Sequence, residues 1–130
     1  MLRPMFAARQ ILGERGERIA ESFLVKKGWL ILDRRFRSGH RDIDLVAEIV
    51  GATGERTVVF VEVKSRVSAD VGGPLGAVHW KKQRELAKAA RDWLGRFHRP
   101  GESYRFDVVG VIFGSIEPEL IHVENAFVIR

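Results

Sequence analysis

Asp42-Ile43-Asp44-Leu45-Val46-Ala47 and Val58-Val59-Phe60-Val61-Glu62-Val63-Lys64, joined through Gly51-Ala52-Thr53-Gly54-Glu55, decide how this chain is read. Two apolar runs rich in β-branched residues, linked by a short segment with two glycines, read as a β-hairpin. A turn centred on Thr53 sets Asp44 opposite Glu62, Val46 opposite Phe60 and Glu48 opposite Val58. The other face pairs Ile43 with Val63, Leu45 with Val61 and Ala47 with Val59, and is wholly apolar. A one-residue slip would mix the two faces, so the pattern selects this register.

The register has an electrostatic consequence. Cβ atoms of directly opposed residues lie about 4.5–5.5 Å apart, and like charges there repel. Asp44 and Glu62 therefore call for a cation between them, and Lys64 lies two residues further along the same face. A divalent ion held by oxygen ligands would relieve the repulsion. Solvation of both acids, an offset pairing, or neutralisation by Lys64 alone would serve as well.

Working outward, the bulk properties set bounds. The 130 residues suffice for one domain with a buried core. Cysteine is absent, which excludes disulfides, thiolate metal sites and a cysteine nucleophile. That fits a reducing cytoplasm, the expected location. The first residues lack an apolar signal region, and no run approaches the roughly 18 apolar residues of a membrane span. A net charge of +5 and a pI of about 10.1 favour polyanionic partners.

Upstream of the hairpin, residues 1–12 carry Pro4 and no clear period, and read as an N-terminal arm before a domain spanning 13–130. From Gly13 to Lys27 the pattern is helical, with Gly28 as a C-terminal stop and Ile19, Ala20, Phe23 and Leu24 as the buried stripe. A step of 100° per residue puts Glu17 at the edge of the stripe, and Glu14 and Glu21 further into solvent. Trp29 to Leu32 reads as a strand. It leads into Arg34, Arg35, Arg37, His40 and Arg41, which serve either as a solvated edge or as a clamp for phosphates.

Downstream, Ser65 to Ala77 reads as a glycine-bearing loop, a connector or a lid. It lacks the Gly-Lys-Ser/Thr of a P-loop. A second helix covers about Val78 to Phe97, with Val78, Leu86, Ala89, Ala90, Trp93 and Phe97 on its apolar face. Lys82 falls within that face, where it either snorkels to water or reaches an anionic site beside the hairpin. Strands follow over Tyr104–Phe113 and Leu120–Phe127. His79, His98 and His122 have no ligand spacing and read as structural or surface residues. The order helix, three strands, helix, two strands predicts an α/β sandwich with a mixed central sheet flanked by helices.

An ordered set of motifs then carries a resemblance. Gly13-x-x-Gly16-Glu17-x-x-Ala20, Asp42-Ile43-Asp44-Leu45, Val59-Phe60-Val61-Glu62-Val63-Lys64-Ser65-Arg66, Lys82-Gln83-x-x-Leu86 and Arg105-Phe106-Asp107-Val108-Val109 resemble the YraN-type uncharacterised bacterial family. That family looks like a minimal member of the PD-(D/E)XK nuclease superfamily, similar in size and order to the archaeal Holliday-junction resolvases. The resemblance covers about residue 13 to the C-terminus. It implies a restriction-endonuclease-like α-β-β-β-α-β-β core.

The resemblance further implies that Asp44 and Glu62 bind the metal, with the Val63 carbonyl as a further ligand. Lys64 completes a Glu-x-Lys element, and Glu17 is a helix-borne acid added to the site. Lys82 and Gln83 stand where an auxiliary phosphate contact belongs. The family's usual Gly-Glu-Ile-Asp-Leu is here Arg41-Asp42-Ile43-Asp44-Leu45. The main aspartate, Asp44, is kept, and Arg41-Asp42 replaces the Gly-Glu pair.

The expected activity is therefore phosphodiester hydrolysis by a structure-selective endonuclease acting on DNA, branched DNA included. Oxygen ligands would suit Mg²⁺ or Mn²⁺. Arg34, Arg35, Arg37, Arg41, Arg66, Lys82 and Gln83 would contact nucleic acid. Symmetric incision would require a homodimer. Lys64 would orient or deprotonate water; desolvation would lower its pKa and the two acids would raise it, with either outcome open. The alternative is a nucleic-acid-binding module without turnover.

Overall fold

The computed structural model describes residues 2–67, 79–114 and 116–128, with backbone alone for residues 2–7 and 9. Helix α1 (Leu2–Lys26) is followed by strands β1 (Leu30–Ser38), β2 (Arg41–Val50) and β3 (Arg56–Arg66). Helix α2 (Trp80–Phe97) then leads to β4 (Ser103–Ile112) and β5 (Glu119–Phe127). The five strands form one sheet in the order β1-β2-β3-β4-β5. All neighbours are antiparallel except β3 and β4, which are parallel and joined through α2. This is the mixed-sheet α-β-β-β-α-β-β order expected from the sequence.

The hairpin has the register that its apolar pattern selects. Leu45 pairs with Val61, Val46 with Phe60, Ala47 with Val59 and Glu48 with Val58. The two sheet faces carry separate cores. Val46, Val58 and Phe60 pack with Leu86, Ala89, Ala90 and Trp93 of α2. Leu45, Ala47, Val59 and Val61 pack with Ala20 and Leu24 of α1. Alternating side chains of a strand point to opposite faces, which is why each helix takes one parity of the hairpin.

One expectation fails here. Ile43 does not share the face of Leu45; it packs with Val46 and Phe36 on the α2 side. Two residues apart on a regular strand should share a face, so the alternation breaks at Asp44. The partner strand breaks at the matching point. Arg34 pairs with Leu45 and Phe36 with Ile43, leaving Arg35 across from Asp44, and Arg35 has a left-handed φ of 49°.

The N-terminal reading also changes. Residues 2–12 are not an arm but the first turns of α1. Pro4 falls in the first turn, where a helix needs no N–H donor. Ala8, Gln10 and Ile11 are exposed, so these turns have no buried stripe for a period to show. Gly28, with φ 90°, stops the helix as expected. Strand β3 continues through Ser65 and Arg66, Val67 follows as an exposed bend, and residues 68–77 of the predicted loop lie outside the described residues. Helix α2 begins at Trp80; Val78 also lies outside the described residues, and Phe97 is half exposed, its ring 5.2 Å from that of Trp93.

Candidate active site

Glu17 approaches the hairpin because α1 packs closely on β3. A Cβ built on Gly16 would lie 1.8 Å from Ser65 Oγ and 3.2 Å from Ser65 Cβ. Only glycine lets the helix backbone settle there. The next residue, Glu17, then lines a cavity of about 290 Å³ together with Glu14, Arg35 and Asp44. A second cavity, of about 560 Å³, shares those four residues and adds Arg37 and Asp42. Both open at the end of the sheet where β3 finishes and β2 starts.

Asp44 sits where the strand alternation breaks. Its Oδ2 accepts a 2.7 Å hydrogen bond from the Val63 backbone N–H, so its carboxyl, not a ladder bond, joins β2 to β3 at this point. Burial, and then the neighbouring Glu62 charge, push Asp44 up to about 8 despite that bond. Glu62, on β3, is also raised, above all by burial, with Lys82 opposing. Its buried Oε2 has no hydrogen-bond partner, and Lys82 Nζ lies 3.9 Å away. Lys82 thus faces the acidic site, the second of the two readings its helical position allowed. Lys64 is lowered: burial, with Arg66 adding to it, outweighs the pull of Glu62.

The arginines are less free than the sequence implied. Arg34 binds Glu21 through two bonds of 2.6 and 2.8 Å. Arg35 binds Glu17 through contacts of 3.0 and 3.4 Å and reaches Glu14 at 3.7 Å. Arg41 pairs with Glu85 of α2, and Arg66 donates to the Ser65 carbonyl at 2.9 Å. Arg37 lines the larger cavity. Glu14 and Glu21, read as solvent-facing, are therefore partners of β1 arginines. Gln83 lies in the first turns of α2, its N–H bonded to the His79 carbonyl at 2.9 Å.

The histidines have structural places. His79 caps α2, its Nδ1 accepting from the Lys81 N–H at 3.2 Å, and His98 ends the same helix. His122 contacts Asp107 at 2.8 Å. Asp107 is wholly buried and also accepts from Arg105 at 2.9 and 3.1 Å and from the Asn125 N–H at 2.9 Å. Burial alone would raise this carboxyl, but His122, Arg105 and Asn125 hold it below the usual carboxylate range. Periodicity missed this cluster. Its one local signal was Arg105-x-Asp107, an acid and a base on the same face of a strand.

Among the described residues, no three His, Cys, Asp or Glu side chains form a group that could hold a metal. Two half-buried acids at close quarters, one with a buried, unpartnered oxygen, do fit a hard divalent cation, which is commonly held by one or two carboxylates and waters. Chemically, then, the molecule falls among mixed-sheet α/β proteins with a half-buried carboxylate pair on the central strands.

The chain belongs to the Uncharacterised protein family UPF0102, whose model matches residues 16–111. This is the YraN-type family that the ordered motifs resemble. A UPF0102 protein of Pelobacter propionicus is 45% identical over 120 residues, covering 88% of this chain and 81% of that one. One of Anaeromyxobacter dehalogenans is 42% identical over 92% of this chain and 85% of that one. One of Geobacter metallireducens is 40% identical over 89% and 91%. Among solved structures, Pyrococcus furiosus SfsA in complex with Ca²⁺ superposes with a TM-score of 0.33 at 18% identity. The match covers 89% of this chain and 63% of that one, so this chain spans less than two thirds of its length.

Proposed function

We propose that this protein is a divalent-cation-dependent endonuclease that hydrolyses the phosphodiester backbone of DNA, choosing substrates by structure rather than by base sequence. The observation that carries this reading is the Asp44–Glu62 pair: two half-buried carboxyls, both raised, one with a buried oxygen lacking a hydrogen-bond partner. Asp44, Glu62 and the Val63 carbonyl would hold Mg²⁺ or Mn²⁺, which supplies charge neutralisation at phosphorus and an acidified water.

The chain's own groups do the rest. Lowering of Lys64 increases the share of neutral amine, which can take a proton from the attacking water. In its protonated form the same group offsets charge in the transition state. Arg35 holds Glu17 beside Asp44, and a substrate phosphate competes with Glu17 for the guanidinium. Lys82, beside Glu62, is placed to meet a phosphate once a bound cation satisfies that acid. Arg34, Arg37, Arg41, Arg66 and Gln83 complete the phosphate contacts in this reading. Two chains related by a two-fold axis would cut symmetrically. The proposed compartment is the cytoplasm; no helix among the described residues is long and apolar enough to cross a membrane.

The test is incision of labelled single-stranded, duplex, flap, fork and four-way-junction DNA with Mn²⁺ or Mg²⁺, comparing wild type with Asp44→Asn. Cleavage by wild type alone supports the enzyme and its metal site. No cleavage by folded wild type on any substrate replaces it with a non-catalytic nucleic-acid-binding module. That second reading is favoured by Glu17, the helix-borne acid of the expected metal site, being engaged by Arg35 instead of left open to a cation.

A further inference from the structure

Helix α1 carries Arg15, Arg18, Ser22 and Lys26, at intervals of three, four and four residues, so they form one stripe along the helix. All four are exposed. They line a groove of about 470 Å³ whose floor is Ile19, Phe23 and Leu120 of β5. No carboxylate lines it among the described residues. The Arg15 guanidinium is held over the Phe113 ring, 5.0 Å from its centroid, rather than by an acid. The contrast with β1 is direct: Arg34 and Arg35 are neutralised by Glu21 and Glu17, whereas this stripe keeps its charge.

The groove and the carboxylate cavity flank α1, on its β5 side and its β1–β2 side. Arg18 lines both the groove and the 290 Å³ cavity that contains Asp44 and Glu17. From Arg15 to Lys26 the helix rises about 16 Å. That spans several nucleotide steps at about 3.4 Å per strand in a duplex. A concave track with cations and a hydroxyl on one wall and apolar side chains on its floor fits a sugar–phosphate backbone. A flat bilayer surface would not enter it.

We infer that the groove between α1 and β5 holds the backbone of a nucleic-acid strand bound at the Asp44–Glu62 site, the strand passing over α1 at Arg18. This deepens the nuclease reading and rests on it for the strand's identity. Because the contact is to phosphates, it requires neither the metal nor the carboxylates.

The experiment is fluorescence anisotropy of labelled single-stranded and duplex oligonucleotides in chelator, across about 50 to 200 mM salt. Arg15→Gln/Arg18→Gln/Lys26→Gln is compared with a charge-matched control, Arg56→Gln/Lys88→Gln/Arg91→Gln, and both are checked for native melting. Arg56, Lys88 and Arg91 are exposed on the hairpin turn and α2, away from the α1 groove. The groove variant should lose about 2–3 from the slope of log K against log salt, and on the order of tenfold or more in affinity. The control should keep most of both. Equal losses in the two variants would overturn the groove and leave the nuclease reading standing. Wild type that binds no oligonucleotide, but does bind vesicles of phosphatidylcholine with phosphatidylserine, would overturn both.

Discussion

At the scale of single residues, the chemistry turns on what burial does to Asp44, Glu62 and Lys64. Asp44 is raised from 3.8 to about 8 by burial and by Glu62, so the folded chain keeps a proton that the unfolded chain releases. The stability tied to that proton is present in full below about pH 4 and is lost as pH rises through about 8. In chelator the melting temperature of wild type should therefore fall between about pH 5 and about pH 9, and Asp44→Asn should fall less and end higher. Adding Mn²⁺ at the upper pH should restore wild type and not the variant; a cation at 100 times its Kd contributes about 2.7 kcal/mol. Parallel melting curves for the two proteins would sink this assignment. The Lys64 outcome was open in the sequence because it depends on burial, which neighbouring residues in the chain do not reveal.

Among the secondary-structure elements, the decisive contact is the seat of α1 on β3. Gly16→Ala places a methyl 1.8 Å from Ser65 Oγ, and even after that hydroxyl rotates, Ser65 Cβ remains at 3.2 Å. The expected cost is about 1–3 kcal/mol, measured by urea unfolding. Ser65→Gly should recover most of it in the double variant. An additive double-mutant cycle would show that the helix relaxes elsewhere. The same seat brings Glu17 beside Asp44. The sequence placed Glu17 at the edge of the helix stripe, which was enough to single the acid out but not to identify its partner. Arg35 lies far from Glu17 along the chain, and its left-handed backbone follows from the paired break in β1 and β2.

Across the molecule as a whole, Asp107 ties one half of the sheet together. It binds Arg105 on its own strand and His122 and Asn125 on β5, while the Lys27 amine beyond α1 lies 3.0 Å from His122 Nδ1. Removing one partner of a buried charged network leaves the others unpaired, at a cost of about 3–5 kcal/mol. Asp107→Ala should lower global stability by that amount in denaturant unfolding, with the free energy falling and the m-value unchanged. A loss under about 1 kcal/mol would mean that water replaces the carboxyl. Because Asp107, Arg105 and His122 line neither Asp44 cavity, the residual folded protein should still be stabilised by Mn²⁺ as wild type is expected to be.

What the sequence determined by itself was whatever repeats over a few residues. The strict alternation of Leu45 to Glu48 against Val58 to Val61 set the register, and the 3.6-residue spacing of Leu86, Ala89, Ala90 and Trp93 set the buried face of α2. From those two periods came the element order and the approach of Lys82 to Glu62; the ladder itself ends at Leu45–Val61, so Asp44 meets β3 through its carboxyl rather than as the register partner of Glu62. The tertiary structure decided what is settled between segments remote in the chain. It moved Ile43 to the other face, extended α1 over turns without a buried stripe, tied Arg34, Arg35 and Arg41 to acids on the two helices, and buried Asp107 under its donors. Local periodicity encodes which side of an element is apolar. Which charges meet, and how much water each keeps, depends on the packing of distant elements, and that no short stretch of sequence contains.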